Sequence, residues 1–137
     1  MELVLDDNAT LNYEIHGEGE TILFIPGILG SLVTFYPTIE QIKKQYQCIV
    51  IEIVGRGGTS FGNRTTQENV SLEQHANDIS QLLNHLGVEQ CHVVGLSFGS
   101  LLAMKLACNE PERICDVILL AALLKNDTHH YANWNAL

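Results

Sequence analysis

The sequence is short of positive charge: 7 lysines and arginines stand against 16 aspartates and glutamates in 137 residues, a net charge of −9. That field repels phosphate backbones and anionic bilayers, so neither nucleic acid nor a membrane surface is expected as a partner. The acidic residues are scattered, as on a solvated surface. Long apolar runs are missing too. The longest, near Val117–Leu124, falls well short of the ~20 residues needed to span a bilayer. Residues 1–12 show no basic start followed by an apolar stretch, so no signal peptide is visible and a cytoplasmic protein is expected. Cysteines are few, at 48, 91, 108 and 115, with no Cys-x-x-Cys pair; they read as reduced thiols, neither a disulfide framework nor a zinc site. There is no Gly-x-x-x-x-Gly-Lys loop. The stretch Gly55-Arg-Gly-Gly-Thr-Ser60 lacks the third glycine and the following helix of a dinucleotide loop. No cofactor and no metal are expected.

What is present is alternation. Glu2–Leu5 and Leu11–Ile15 alternate apolar with polar around Asp6-Asp7-Asn8, the pattern of a β-hairpin. Thr21–Ile25 and Cys48–Ile53 are short, nearly continuous apolar runs, as expected of strands buried on both faces, and Cys91–Val94 and Ile114–Ala121 read as two further strands. Between them lie helical spacings. Phe35, Ile39, Ile42 and Tyr46 mark a first helix within Val33–Tyr46. Ser71 to about Leu86 forms a second, capped by Ser71 with Gln74 three residues on and stopped by Gly87. Phe98–Asn109 forms a third. Strands alternating with helices give an α/β fold: a mostly parallel sheet of about six strands with helices on both faces and an antiparallel hairpin at one edge.

The most informative stretch is Gly95-Leu96-Ser97-Phe98-Gly99, a Gly-x-Ser-x-Gly between a strand and a helix. A serine at that junction sits on a strained turn that lifts its hydroxyl above the sheet edge, and side chains at positions 95 and 99 would strike the neighbouring strand or helix. The helix N-terminus aims its dipole and free N–H groups at the same place, which favours a developing oxyanion. The plainer reading is a glycine-rich turn whose serine merely caps the helix.

With these residues in place the chain resembles the α/β-hydrolases, over nearly its whole length and over about the first half of a typical member. Pro26-Gly27-Ile28-Leu29-Gly30-Ser31 stands where the family usually has His-Gly-x-x-Gly-Ser, and Glu52-Ile-Val-Gly55-Arg-Gly57-Gly-Thr59 resembles its Asp-x-x-Gly-x-Gly-x-Ser structural turn. The resemblance implies Ser97 as nucleophile, the N–H groups of Ile28 and Phe98 as the oxyanion hole (Leu29 being the substitute for Ile28), and Gly95 and Gly99 as the elbow glycines. Pro26 replaces a histidine that often braces the oxyanion loop.

The resemblance also implies an acid after strand seven and a histidine after strand eight, regions beyond the sixth strand, where this chain is expected to stop. Of the six histidines, His129 and His130 lie on the side expected for the site; His16, His75, His85 and His92 read as ordinary structural or surface residues, and Asp127 as a loop aspartate. Tyr131, Trp134 and Leu137 recur every three residues, the expected start of a lid over about 128–137 in a partial domain spanning 1–137. Strand six would lie at the sheet edge, so a homo-oligomer or a C-terminal segment pairing there is expected. The functions implied are a serine hydrolase acting on a small-molecule ester, thioester or similar acyl substrate, an acyltransferase on the same fold, or a non-catalytic binding protein on that scaffold.

Overall fold

The computed structural model describes residues 1–64 and 70–122. Six strands are joined in the order β1-β2-β4-β3-β5-β6: β1 (Glu2–Val4), β2 (Thr10–His16), β3 (Glu20–Ile25), β4 (Tyr46–Ile51), β5 (Cys91–Leu96) and β6 (Ile114–Leu120). β1 and β2 pair antiparallel with each other, and β2 antiparallel with β4. The remaining pairs, β4 with β3, β3 with β5 and β5 with β6, are parallel. The mostly parallel α/β sheet with an antiparallel edge is therefore present as expected. β6 has a strand partner on one side only among the described residues.

Alternate side chains of the apolar strands enter two cores, because successive Cβ atoms point to opposite faces. Leu23 and Ile25, Ile49 and Ile51, and Val93 pack against Ile79, Leu82 and Leu83 of α2 (Leu72–His85) and Leu102, Ala103 and Leu106 of α3 (Phe98–Asn109). Phe24, Cys48, Val50 and Val94 face the other way, against Phe35 and Ile39. Ile39 belongs to α1 (Tyr36–Ile42), which carries Pro37 in its first turn, where a missing N–H costs nothing. Past α1, this second face opens into a groove of about 690 Å³ floored by Ile22, Phe24, Val94 and Leu120. No helix among the described residues is long and apolar enough to cross a membrane.

Two local expectations are corrected. The stretch 33–46 is not one helix: a 3-10 turn over Leu32–Phe35 leads into α1, and Tyr46 opens β4. The bend between β2 and β3 packs backbone to backbone against the turn at 43–46. A Cβ on Gly17 would stand 2.0 Å from the Lys43 carbonyl oxygen, and one on Gly19 would stand 2.7 Å from that of Gln45. The cap of α2 is half a capping box. Ser71 Oγ accepts from the Gln74 N–H at 3.1 Å, but the Gln74 amide side chain donates to Asp78 at 3.3 Å. All four cysteines are free, and burial pushes the Cys91 thiol up to about 11, far from a reactive thiolate at neutral pH.

Candidate active site

Between β5 and α3 the backbone makes its sharpest departure from ordinary geometry. Ser97 has φ 54° and ψ −114°, one of three non-glycine residues among those described with positive φ. An L-residue there places its Cβ against neighbouring backbone, at a cost of order 1–3 kcal/mol that the surroundings must enforce. The surroundings do. A Cβ on Gly99 would lie 2.2 Å from the Ile25 carbonyl oxygen, so α3 begins directly against the end of β3. A Cβ on Gly95 would lie 2.3 Å from the Gly99 oxygen, so strand and helix touch backbone to backbone at the turn. The Ser97 N–H donates to the Leu120 carbonyl at 2.8 Å, and the Ser100 hydroxyl donates to Gly95 at 2.7 Å and to Leu120 at 3.0 Å, fixing the turn to the end of β6.

The Ser97 side chain makes no capping hydrogen bond to α3. That separates the two sequence readings: a serine serving only as helix cap would point its oxygen at the helix N–H groups. Instead the hydroxyl is partly exposed and uncommitted among the described residues.

The loop after β3 lies beside this serine. A Cβ on Gly27 would stand 3.4 Å from Ser97 Cβ and 4.0 Å from its Oγ. The Gly30 N–H donates to the Gly27 carbonyl at 2.8 Å, closing a tight turn with Ile28 and Leu29 at its tip. Ile28 is half-buried and Leu29 is 82% exposed. Phe98 is the first residue of α3, so its N–H has no partner within the helix. Among the described residues the Ile28 N–H likewise donates to no backbone or side-chain acceptor. Ser97, Ile28, Phe98, Gly95 and Gly99 are thus brought to one end of the sheet, with the loop that carries Ile28 next to Ser97.

The turn after β4 is structural, as its motif implies. Glu52 is buried and accepts from Asn12 Nδ2 and the Gly58 N–H, each at 3.2 Å. Thr59 Oγ1 accepts from the N–H groups of Gly55 at 2.7 Å and Arg56 at 2.9 Å.

The histidines are dispersed. His16 bonds Glu14 at 2.9 Å on β2, and His85 is exposed at the end of α2. His92 bridges Glu20 and Asp116 at 3.0 and 2.9 Å, on the starting half of β5, away from the elbow. The bond that Glu20 accepts from it, with Asp116 adding to the effect, raises the His92 imidazole above its usual range. His75 alone among these reaches the elbow: its buried ring meets the Phe98 ring edge-on, centroids 5.9 Å apart. Burial holds it below the usual imidazole range against the pull of Asp78, with Arg64 and Arg56 adding to the effect. Asp127, His129, His130 and the aromatics of the expected lid lie outside the described residues.

Sequence reading missed three things here. The first is the contact of His75 with Phe98. The second is Arg64, whose guanidinium donates twice to Asp78, at 2.8 and 2.6 Å, and once to Asp7 at 2.6 Å, tying the loop after β4 to α2 and to the hairpin. These bonds hold the Arg64 guanidinium above its ordinary range although burial opposes it. The third is Thr34, whose hydroxyl accepts the Ser31 N–H at 3.1 Å. Only the last left a signal, the three-residue spacing of Ser31 and Thr34 at the start of a helical turn.

Comparison with known proteins gives a consistent picture. The family model described as alpha/beta hydrolase fold matches residues 20–135. A relative from Azorhizobium caulinodans named "Putative carbamate hydrolase RutD" is 33% identical over 122 residues, covering 88% of this chain and 44% of the relative. Among solved structures, Est816, described as an N-acyl homoserine lactone degrading enzyme, superposes with a TM-score of 0.78 at 26% identity, over 87% of this chain and 44% of that one. A carboxylesterase structure from a Nitrososphaera archaeon superposes with a TM-score of 0.88 at 20% identity, over 99% of this chain and 50% of its own, a likeness of fold. The chain spans about half the length of the curated relatives it matches.

Proposed function

Since the chain belongs to the alpha/beta hydrolase family, we propose that it carries the nucleophile of a serine hydrolase acting on a carboxylic ester, thioester, carbamate or similar acyl compound. The observation that carries this reading is Ser97: a non-glycine residue held at φ 54°, with Gly95 and Gly99 pressed against backbone on either side and the hydroxyl unused as a helix cap. Strain of this kind persists only where contacts enforce it, and it recurs at reacting groups.

In the proposed reaction Ser97 Oγ attacks the acyl carbonyl carbon as a general base takes its proton. The carbonyl oxygen, now negative, accepts hydrogen bonds from the N–H groups of Ile28 and Phe98. Collapse of the tetrahedral species expels the leaving group, which the protonated base supplies with a proton, and leaves an acyl-enzyme that water hydrolyses. The base and its orienting acid come from outside the described residues, since no described side chain hydrogen-bonds the Ser97 hydroxyl. The names of the relatives, a carbamate hydrolase and a lactone-degrading enzyme, support an acyl carbon as the point of attack.

The test is a fluorophosphonate probe applied to the purified chain, read by intact mass beside S97A. Labelling of wild type and not of S97A is the expected result and means that a base reaches Ser97. A folded wild type that stays unlabelled removes the catalytic reading from this chain as it stands.

A further inference from the structure

The loop that carries Ile28 is fixed firmly at its front. Pro26 is buried, and Gly27 rests against Ser97. Its back has far less to hold it. Pro26 offers no side-chain donor or acceptor, and the tip residues Ile28 and Leu29 are aliphatic. The turn closes through the Gly30 N–H, and then the chain must leave toward the 3-10 turn at Leu32–Phe35. At that exit one side chain intervenes. Thr34 Oγ1 accepts the Ser31 N–H at 3.1 Å, while the Thr34 N–H returns to the Ser31 carbonyl at 3.0 Å. The same hydroxyl sits 3.1 Å from where a Cβ on Gly30 would stand, and Pro26 Cβ sits 2.8 Å from that point on the other side. Gly30 is thus nested between the proline that opens the loop and the threonine that follows it. Among the described residues, Thr34 is the one side chain that hydrogen-bonds the backbone of residues 26–31.

We propose that Thr34 is the positioning residue of this loop: its hydroxyl, through Ser31 and Gly30, sets the direction of the Ile28 N–H toward the oxygen of an acyl group on Ser97. The inference rests on the reading of Ser97 and Ile28 given above. Thr34 touches no substrate and takes no proton; it acts through the turn. Thr34 is also the third residue of a capping box at the 3-10 turn, so losing its hydroxyl lowers stability modestly; that loss alone leaves the reactivity of the folded chain untouched. A positioning role does not, because a misdirected oxyanion donor loses its effect on the transition state while the fold stands.

The experiment compares T34V, which replaces the hydroxyl by a methyl of similar size, with T34S, which keeps it. Three readouts are taken on the full chain: thermal midpoint, fluorophosphonate labelling rate, and amide hydrogen exchange of Ile28, Gly30 and Ser31 by NMR. The expected result is a midpoint a few degrees lower in T34V and near wild type in T34S, labelling of the folded chain slowed about tenfold in T34V, recovery of most of that rate in T34S, and faster exchange at Gly30 and Ser31 in T34V alone. Labelling of T34V at the wild-type rate overturns the proposal. If the wild type itself does not label, the reading of Ser97 has failed for this chain and exchange decides the rest. Faster exchange at Gly30 as well as Ser31 in T34V upholds Thr34 as the brace of the loop, and unchanged exchange at Gly30 overturns it.

Discussion

Replacing Ser97 by glycine should stabilise the folded chain, although glycine usually weakens what it enters. Glycine costs roughly 0.5–1 kcal/mol of backbone entropy in a regular element. Against this stands the strain of an L-residue at φ 54° and ψ −114°, about 1–3 kcal/mol. The serine hydroxyl adds nothing on the other side of the comparison, since it makes no cap bond to α3. The expected balance is about 1 kcal/mol in favour of glycine. S97A is the control: it loses the hydroxyl but keeps the Cβ that causes the strain, and should sit near wild type. Urea unfolding of the three proteins measures the difference, with a midpoint shift of about 0.5 M at an m value of about 2 kcal/mol/M. A thermal scan should show S97G about 4 °C higher. If S97G is less stable than S97A, the turn is not strained in solution, and the argument that contacts at Gly95 and Gly99 force it is refuted.

Two further predictions concern charge. Removing the guanidinium in R64M leaves Asp78, itself 1% exposed at its side chain, with no cation; chemical denaturation should show a loss of about 3–5 kcal/mol, largely recovered in R64M/D78N, and a loss under about 1 kcal/mol contradicts the buried network. His92 and His75 should bend the pH dependence of stability in opposite directions around the ordinary imidazole value of 6.5. His92, raised in the fold, contributes stability that is complete below 6.5 and disappears as pH climbs through its folded value. His75, lowered in the fold, contributes stability that is complete above 6.5 and disappears as pH falls through its folded value. Stability from these two groups therefore peaks near pH 6.5, H92Q flattens the alkaline limb alone, and NMR titration that places both imidazoles on the same side of 6.5 contradicts the assignment.

β3 and β4 were legible because they are apolar where both sheet faces are covered, and α3 because Gly-x-Ser-x-Gly is a pattern that one backbone geometry explains; β6 was legible from its apolar run alone, since Ile118 and Leu120 stay exposed. Phe98–Asn109 coincides with its helix to the residue. Legibility failed where distant chain segments decide local form. Tyr46 stands at helical spacing from Ile42, yet it pairs with Glu20 and opens β4, next to the bend at Gly17 and Gly19. The partners of Arg64 lie 57 and 14 residues away, and no periodicity announces a salt bridge between an exposed-looking turn, a loop and a helix. The elbow of the candidate site was readable, being local, and the bond between Ser31 and Thr34 left its spacing as a signal; the packing of His75 on Phe98 was not readable, since it depends on which face each element presents after folding.

The hydrogen bond from Ser97 to Leu120 gives the candidate nucleophile an unusual dependence. Its turn hangs from the last carbonyl of β6, a strand with one neighbour among the described residues. Strands so placed open first in partial unfolding, well before the centre of a sheet gives way. Each fraying event that releases Leu120 removes the bonds it accepts from the Ser97 N–H and the Ser100 hydroxyl, leaving the turn to the Ser100–Gly95 bond and the contacts at Gly95 and Gly99. Whatever packs on the other side of β6 thereby also holds the turn of Ser97, so that the geometry of the elbow and the breathing of this strand become one equilibrium.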